Sequence, residues 1–177
     1  MSGQDYRVPS LNRRDIRTLT HQIRSMLSIT NLHFPIMEFV EFGLPSLIDD
    51  YELSIMPIED MPGTHGLTIP QESKIILRED IYEGALNGNG RDRMTVAHEL
   101  GHLLMHKNIS FARSMPNVRI RAFESSEWQA KCFSGELLIP ATKREILLNM
   151  TPIEVAQVCG VSLEAAEYQL QKYKTPV

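Results

Sequence analysis

Residues 95–106 read TVAHELGHLLMH, and this stretch constrains the fold more than any other. His98 and His102 are four apart, with Glu99 beside the first. On a helix that spacing puts both imidazoles on nearly the same face, about 6 Å apart along the axis. Two imidazole nitrogens can then converge on one cation, and Glu99 stands next to its open side as a general base. The motif lies mid-helix, where Met94, Ala97, Gly101 and Leu104 form a core-facing stripe. Gly101 costs about 1 kcal/mol of helix propensity relative to alanine. Close approach of a second element would account for it. The plainer alternative is a buried helix whose histidines only satisfy hydrogen bonds; it fits a lone histidine better than this constellation. His106 lies roughly 12 Å along the axis from His98, so it cannot share the same ion. It is expected as a helix-end cation or a hydrogen-bonding group.

A catalytic zinc usually has three protein ligands and a water. The segment AFESSEWQAKCFSGELLIP offers Glu124, Glu127 and Glu136 as a third ligand. Glu127 shares a helix face with Ala130 and Ser134, whose small size permits close packing. Glu124 precedes the expected cap at Ser125 or Ser126. Glu136 is expected to face solvent. The pattern leans towards Glu127 without deciding the matter, since all three could be ordinary surface carboxylates.

The remaining chain reads as a single α+β domain. Its 177 residues, 42% apolar and 23% charged, suffice for one core. The formal charge of -4 argues against non-specific nucleic-acid binding. MSGQDYRVPS lacks an apolar signal region, and no apolar run approaches the roughly 20 residues of a membrane span. Cys132 and Cys159 sit in apolar helical stretches without a CxxC pair. Reduced, buried thiols and a cytoplasmic location are therefore expected.

Residues 1–11 are expected as a flexible arm and 12–177 as the domain. Asn12 with Asp15 opens one helix. FPIMEFVEFG forms another, ended by Gly43. ELSIMP, HGLTIP and SKIILR predict three strands of a small antiparallel sheet. DIYEGA predicts a helical turn or two and precedes the histidine helix. The stretch 113–121 is basic and irregular. Residues 141–177 form a helical subregion with a helix-turn-helix-like end, EVAQVCGVSLEAAEYQL. Its second helix carries Glu164 and Glu167 and no cation before Lys172, which argues against phosphate contact and for an αα-hairpin that closes the core.

GRDRMTVAHELGHLLMH followed by ESSEWQAKCFSGELLIP resembles the ImmA/IrrE family of metallopeptidases, closest to members encoded near phage-type repressors. IILREDIYEGA and VCGVSLEAAEYQL extend the likeness over roughly residues 32–172. The resemblance implies a zincin-like pair of helices with Zn2+ held by His98, His102 and Glu127, and Glu99 as base. It also implies a protein substrate of the helix-turn-helix repressor kind. This chain departs from the family at Lys131, where asparagine is usual, and at Cys132, where alanine is frequent. Some members act as toxin partners or regulators, so a zinc-stabilised interaction module is the second expectation. His65, Tyr82, Arg93 and Arg121 are candidates for an assisting electrophile.

Overall fold

A computed structural model describes residues 4–109 and 119–175. Helix α1 (Arg13–Met26) starts as the sequence predicts. The Asn12 side chain accepts the Asp15 N–H, while the Asp15 carboxylate accepts the Asn12 N–H. Its buried face carries Ile16, Thr20, Ile23 and Arg24. The next helical stretch runs as α2 (Ile36–Glu38), a π-helical turn at Phe39–Gly43, and α3 (Leu44–Leu47). Gly43 therefore does not end the helix. A Cβ there would lie 2.5 Å from Cδ2 of Phe39, so glycine leaves room for that ring inside the widened turn. Pro45 follows in a first-turn position of α3, where its missing N–H is not needed.

The strands β1 (Glu52–Met56), β2 (Gly66–Ile69) and β3 (Lys74–Arg78) form one sheet in the order β1-β3-β2. The sheet is mixed, which corrects the antiparallel expectation: β2 pairs antiparallel to β3, but β1 pairs parallel to it. Only β2 and β3 are joined by a tight turn, Pro70–Glu72, with Ser73 in the left-handed region at φ 52°. The segment 57–65, including a 3-10 turn at Ile58–Asp60, carries the chain away from β1 instead of folding back on it. The whole of 57–73 is thus the crossover that a parallel pair requires. Ile75 and Leu77 of the central strand are fully buried, while Lys74, Ile76 and Arg78, which alternate with them, are half-buried.

Helices α4 (Glu79–Leu86), α5 (Gly90–His106) and α6 (Ser126–Leu138) follow. Asn89 caps α5, and Ser125 caps α6 by accepting the Trp128 N–H. The two helices lie against each other at Gly101, where a Cβ would be 3.0 Å from Cδ1 and 3.2 Å from Cβ of Phe133. Glycine is kept there by close approach, as its helix cost suggested. The chain ends in α7 (Arg144–Leu148), α8 (Pro152–Cys159) and α9 (Leu163–Lys174). Thr151 and Glu154 form a capping box, and Gly160 turns the chain at φ 64°. Val155 and Cys159 of α8 and Ala166, Leu170 and Tyr173 of α9 enter the core. Arg93 of α5 donates to the Gly160 carbonyl at 2.8 Å, which fastens this hairpin to the histidine helix.

Residues 5–11, expected as a loose arm, are docked instead. Val8 N–H donates to the Glu124 carbonyl at 2.8 Å and Leu11 N–H to that of Phe123 at 2.9 Å. The Tyr6 N–H donates to Ser126 Oγ, the Ser126 N–H donates to the Tyr6 carbonyl, and Val8 is buried. Apolar anchorage by Val8 and a ladder of backbone bonds hold a segment too short to have shown any periodicity. Of the basic stretch 113–121, residues 113–118 lie outside the described residues.

Candidate metal centre

The first turn of α6 faces the middle of α5. His98 Nε2 and His102 Nε2 come within 3.1 Å of each other. Glu127 closes the triangle: Oε1 is 3.1 Å from His102 Nε2 and Oε2 is 3.2 Å from His98 Nε2. The three residues form a group whose ligand atoms all lie within 4.8 Å, able to hold a metal ion. Burial pushes the Glu127 carboxyl upward, but the adjoining His102 and His98 imidazoles outweigh it and bring it down to about 2. Oε2 is buried with no hydrogen-bond partner among the described residues, although His98 Nε2 lies 3.2 Å away. A buried carboxylate oxygen left unpaired beside two converging nitrogens is costly unless a cation completes it. His2Glu is a donor set suited to such an ion.

Glu99 is 7% exposed and sits at the edge of this group. Thr68 Oγ1 lies 2.6 Å from Glu99 Oε2 and 3.0 Å from the Glu99 carbonyl. A Cβ on Gly66 would fall 2.8 Å from Glu99 Cγ, so strand β2 can lie alongside only because residue 66 has none. Gly66 and Thr68 are two apart on a strand and share one face. That alternation is the sequence signal that HGLTIP borders the site.

His106 is, of its two alternatives, the hydrogen-bonding group and not the helix-end cation. It is fully buried, and burial draws its pKa down to about 4, so it is neutral at ordinary pH. Its Nδ1 is 3.1 Å from His102 Nδ1 and its Nε2 is 3.0 Å from Gln129 Oε1. Gln129 carried no sequence signal, being two residues beyond Glu127 and so off its helix face.

The other candidates fall elsewhere. Glu124 pairs with Arg7 at 3.0 Å. Glu136 is buried, not solvent-facing, because Arg13 and Arg17 of α1 both bind it at 2.9 Å. Tyr82 donates to Glu41, Arg93 is buried against the Gly160 and Phe34 carbonyls, and Arg121 is exposed. His65 alone among those four lines the cleft, a hollow of about 410 Å³ whose walls include His98, Glu99, Glu127, Trp128 and Lys131. An apolar cavity of about 250 Å³ adjoins it, sharing Arg91, Met94, Trp128 and Lys131 and reaching Cys132, Ala165 and Tyr168.

Helix pair, histidine spacing and facing carboxylate together define a metallopeptidase-type site. The model of the IrrE N-terminal-like domain, the peptidase M78 family, matches residues 50–171, and the chain belongs to that family. No curated protein gives a significant match to the chain. Among the described residues, no helix is long and apolar enough to cross a membrane.

Proposed function

We propose that this protein is a zinc-dependent endopeptidase that cleaves a regulatory protein, with a helix-turn-helix transcriptional repressor as the substrate class. The observation that carries the peptidase reading is the convergence of His98, His102 and Glu127 beside a carboxylate, Glu99, that belongs to none of their contacts. His98, His102 and Glu127 would hold the ion. When bound, zinc there would polarise a scissile carbonyl and acidify water. Glu99 takes the proton of the attacking water and returns it to the leaving amine. Thr68 holds the Glu99 carboxylate in place, and Gly66 gives it room. Strand β2 is a sheet edge, and Gly66 to Gln71 flank the groove that contains Glu99, His102 and Glu127. Its outer edge, which pairs with no other strand among the described residues, suits an extended peptide segment. The cavity lined by Met94, Trp128 and Tyr168 suits a large apolar side chain of that segment.

The repressor as substrate comes from the resemblance to ImmA/IrrE proteins, and a cytoplasmic location agrees with it. A zinc-stabilised interaction module, such as a toxin or antitoxin partner, fits less well. A structural zinc site is normally closed by a fourth protein ligand, and the group among the described residues has three members. Glu99→Gln should retain one equivalent of zinc and lose cleavage, because the ligands survive and the base does not. Metal analysis beside a cleavage assay on candidate repressors checks this; wild-type proteolysis by the variant overturns the assignment of Glu99.

A further inference from the structure

Residues 5–9 lie outside the stretch 50–171 that the family model matches, yet they reach the metal centre by two separate routes. The first runs through Asp5. Its carboxylate accepts from Ser125 Oγ at 2.9 Å, from Ser126 Oγ at 3.2 Å and from the Glu127 N–H at 3.2 Å. An anion at the start of α6 satisfies donors that the helix leaves open and favours its dipole. It thereby fixes the main chain from which Glu127 projects.

The second route runs through Pro9 and leads to a proton assignment. Gln129 Nε2 donates both of its hydrogens to carbonyls, that of Pro9 at 2.8 Å and that of Phe123 at 2.9 Å. The reverse amide orientation would set Oε1 against those two oxygens, so Oε1 must face His106. Oε1 can only accept; His106 Nε2 therefore carries the hydrogen. His106 has no exposed surface, and its Nδ1 lies 3.1 Å from His102 Nδ1, so one hydrogen sits between the two nitrogens. With the hydrogen on His106 Nε2 already placed, the ligand role of His102 puts this one on His102 Nδ1. With its proton on Nδ1, His102 has a free lone pair on Nε2, the atom that faces Glu127 and His98. The opposite tautomer would put a hydrogen where a cation must bind.

We propose that residues 5–9 are a positioning part of the metal centre: Asp5 sets the placement of Glu127, and the Pro9 carbonyl, acting through Gln129 and His106, sets the tautomer of His102. This rests on the reading of His98, His102 and Glu127 as ligands. Outer partners of a ligating histidine are worth about ten- to a hundredfold in metal affinity. Asp5 and Gln129 touch neither substrate nor ion and act only through the residues they hold.

The test uses the full chain. Nitrogen-15 NMR reads the His106 tautomer in the metal-free protein and that of His102 with Zn2+ bound. The expected pattern is a hydrogen on Nε2 of His106 and on Nδ1 of His102; a His106 hydrogen on Nδ1 overturns the relay whether or not any metal binds. Chelator competition with Zn2+ then compares wild type, Asp5→Ala and Gln129→Met. A loss of about tenfold or more in each variant, with the metal-free form of each still unfolding cooperatively, supports the proposal. Unchanged affinity in both, or tighter binding in Asp5→Ala, overturns it. A Gln129→Met chain that does not fold leaves the wild-type tautomers and Asp5→Ala to decide. A wild type that binds no Zn2+ at all defeats the reading of the centre itself, while the His106 tautomer still judges the relay.

Discussion

Arg24 shows how a single side chain can join distant pieces of chain. It is 4% exposed and donates to the carbonyls of Leu137, Asn31 and Leu32 at 2.8, 2.8 and 2.9 Å. Burial lowers its pKa to about 10, still far above neutrality, so it stays charged. Arg24→Met should cost about 3 kcal/mol, because three buried acceptors lose their donor; urea unfolding of the metal-free protein measures it. The two thiols behave oppositely, as groups kept neutral. Burial pushes Cys132 up to about 12 and Cys159 up to about 11. Neither should react with a thiol reagent at pH 8 until the chain unfolds. The unfolded thiols ionise near 9, before the folded ones, so above that pH the folded state holds more protons than the unfolded. Stability is then complete below about pH 9 and falls by roughly 1 kcal/mol per thiol per pH unit above it, until the folded values are reached. Denaturant midpoints at pH 8 and pH 10 should differ in that sense. Flat stability between them would show that the thiols are not shielded.

Between elements, two glycines set the spacing on which the site depends. At Gly101 the neighbouring atoms include the Cβ of fully buried Phe133, which cannot swing aside. Gly101→Ala should therefore lose about 1–2 kcal/mol despite a better helix propensity, and weaken zinc binding as α6 is pushed away. At Gly66 the obstructed atom belongs to Glu99. Gly66→Ala should keep zinc and lower kcat, since it displaces the base and leaves the ligands alone; equal loss of zinc would contradict this. The element boundaries were largely legible because caps announce them: Asn12, Ser125, Thr151 and Ser162 each lie where the side-chain oxygen meets an open N–H. HExxH spacing also announced one wall of the site. What stayed hidden depends on partners distant in sequence. Glu136 looked solvent-facing because Arg13 and Arg17 stand some 120 positions away, and nothing in VPSLN marks a carbonyl that binds Gln129. Strand direction was invisible for a related reason: short alternating runs specify a face, and pairing is chosen by the length of the links between them.

For the molecule as a whole, Trp128 offers a direct view of the cleft. It is the one tryptophan in the sequence and lines both the metal cleft and the apolar cavity beside it. Binding of a substrate segment to Zn2+-loaded Glu99→Gln should shift its fluorescence, and a Tyr168→Ala change should weaken that response for peptides with a large apolar residue. No shift with a peptide that wild type cleaves would place the substrate elsewhere. Zinc in excess should also raise the melting temperature, by an amount equivalent to about 2.7 kcal/mol at a hundred times Kd. The order β1-β3-β2 has a consequence during synthesis. Both outer strands leave the ribosome before the one that will lie between them. Until residues 74–78 emerge, neither has a native neighbour, and the nascent chain carries two unmatched edges whose eventual binder arrives last.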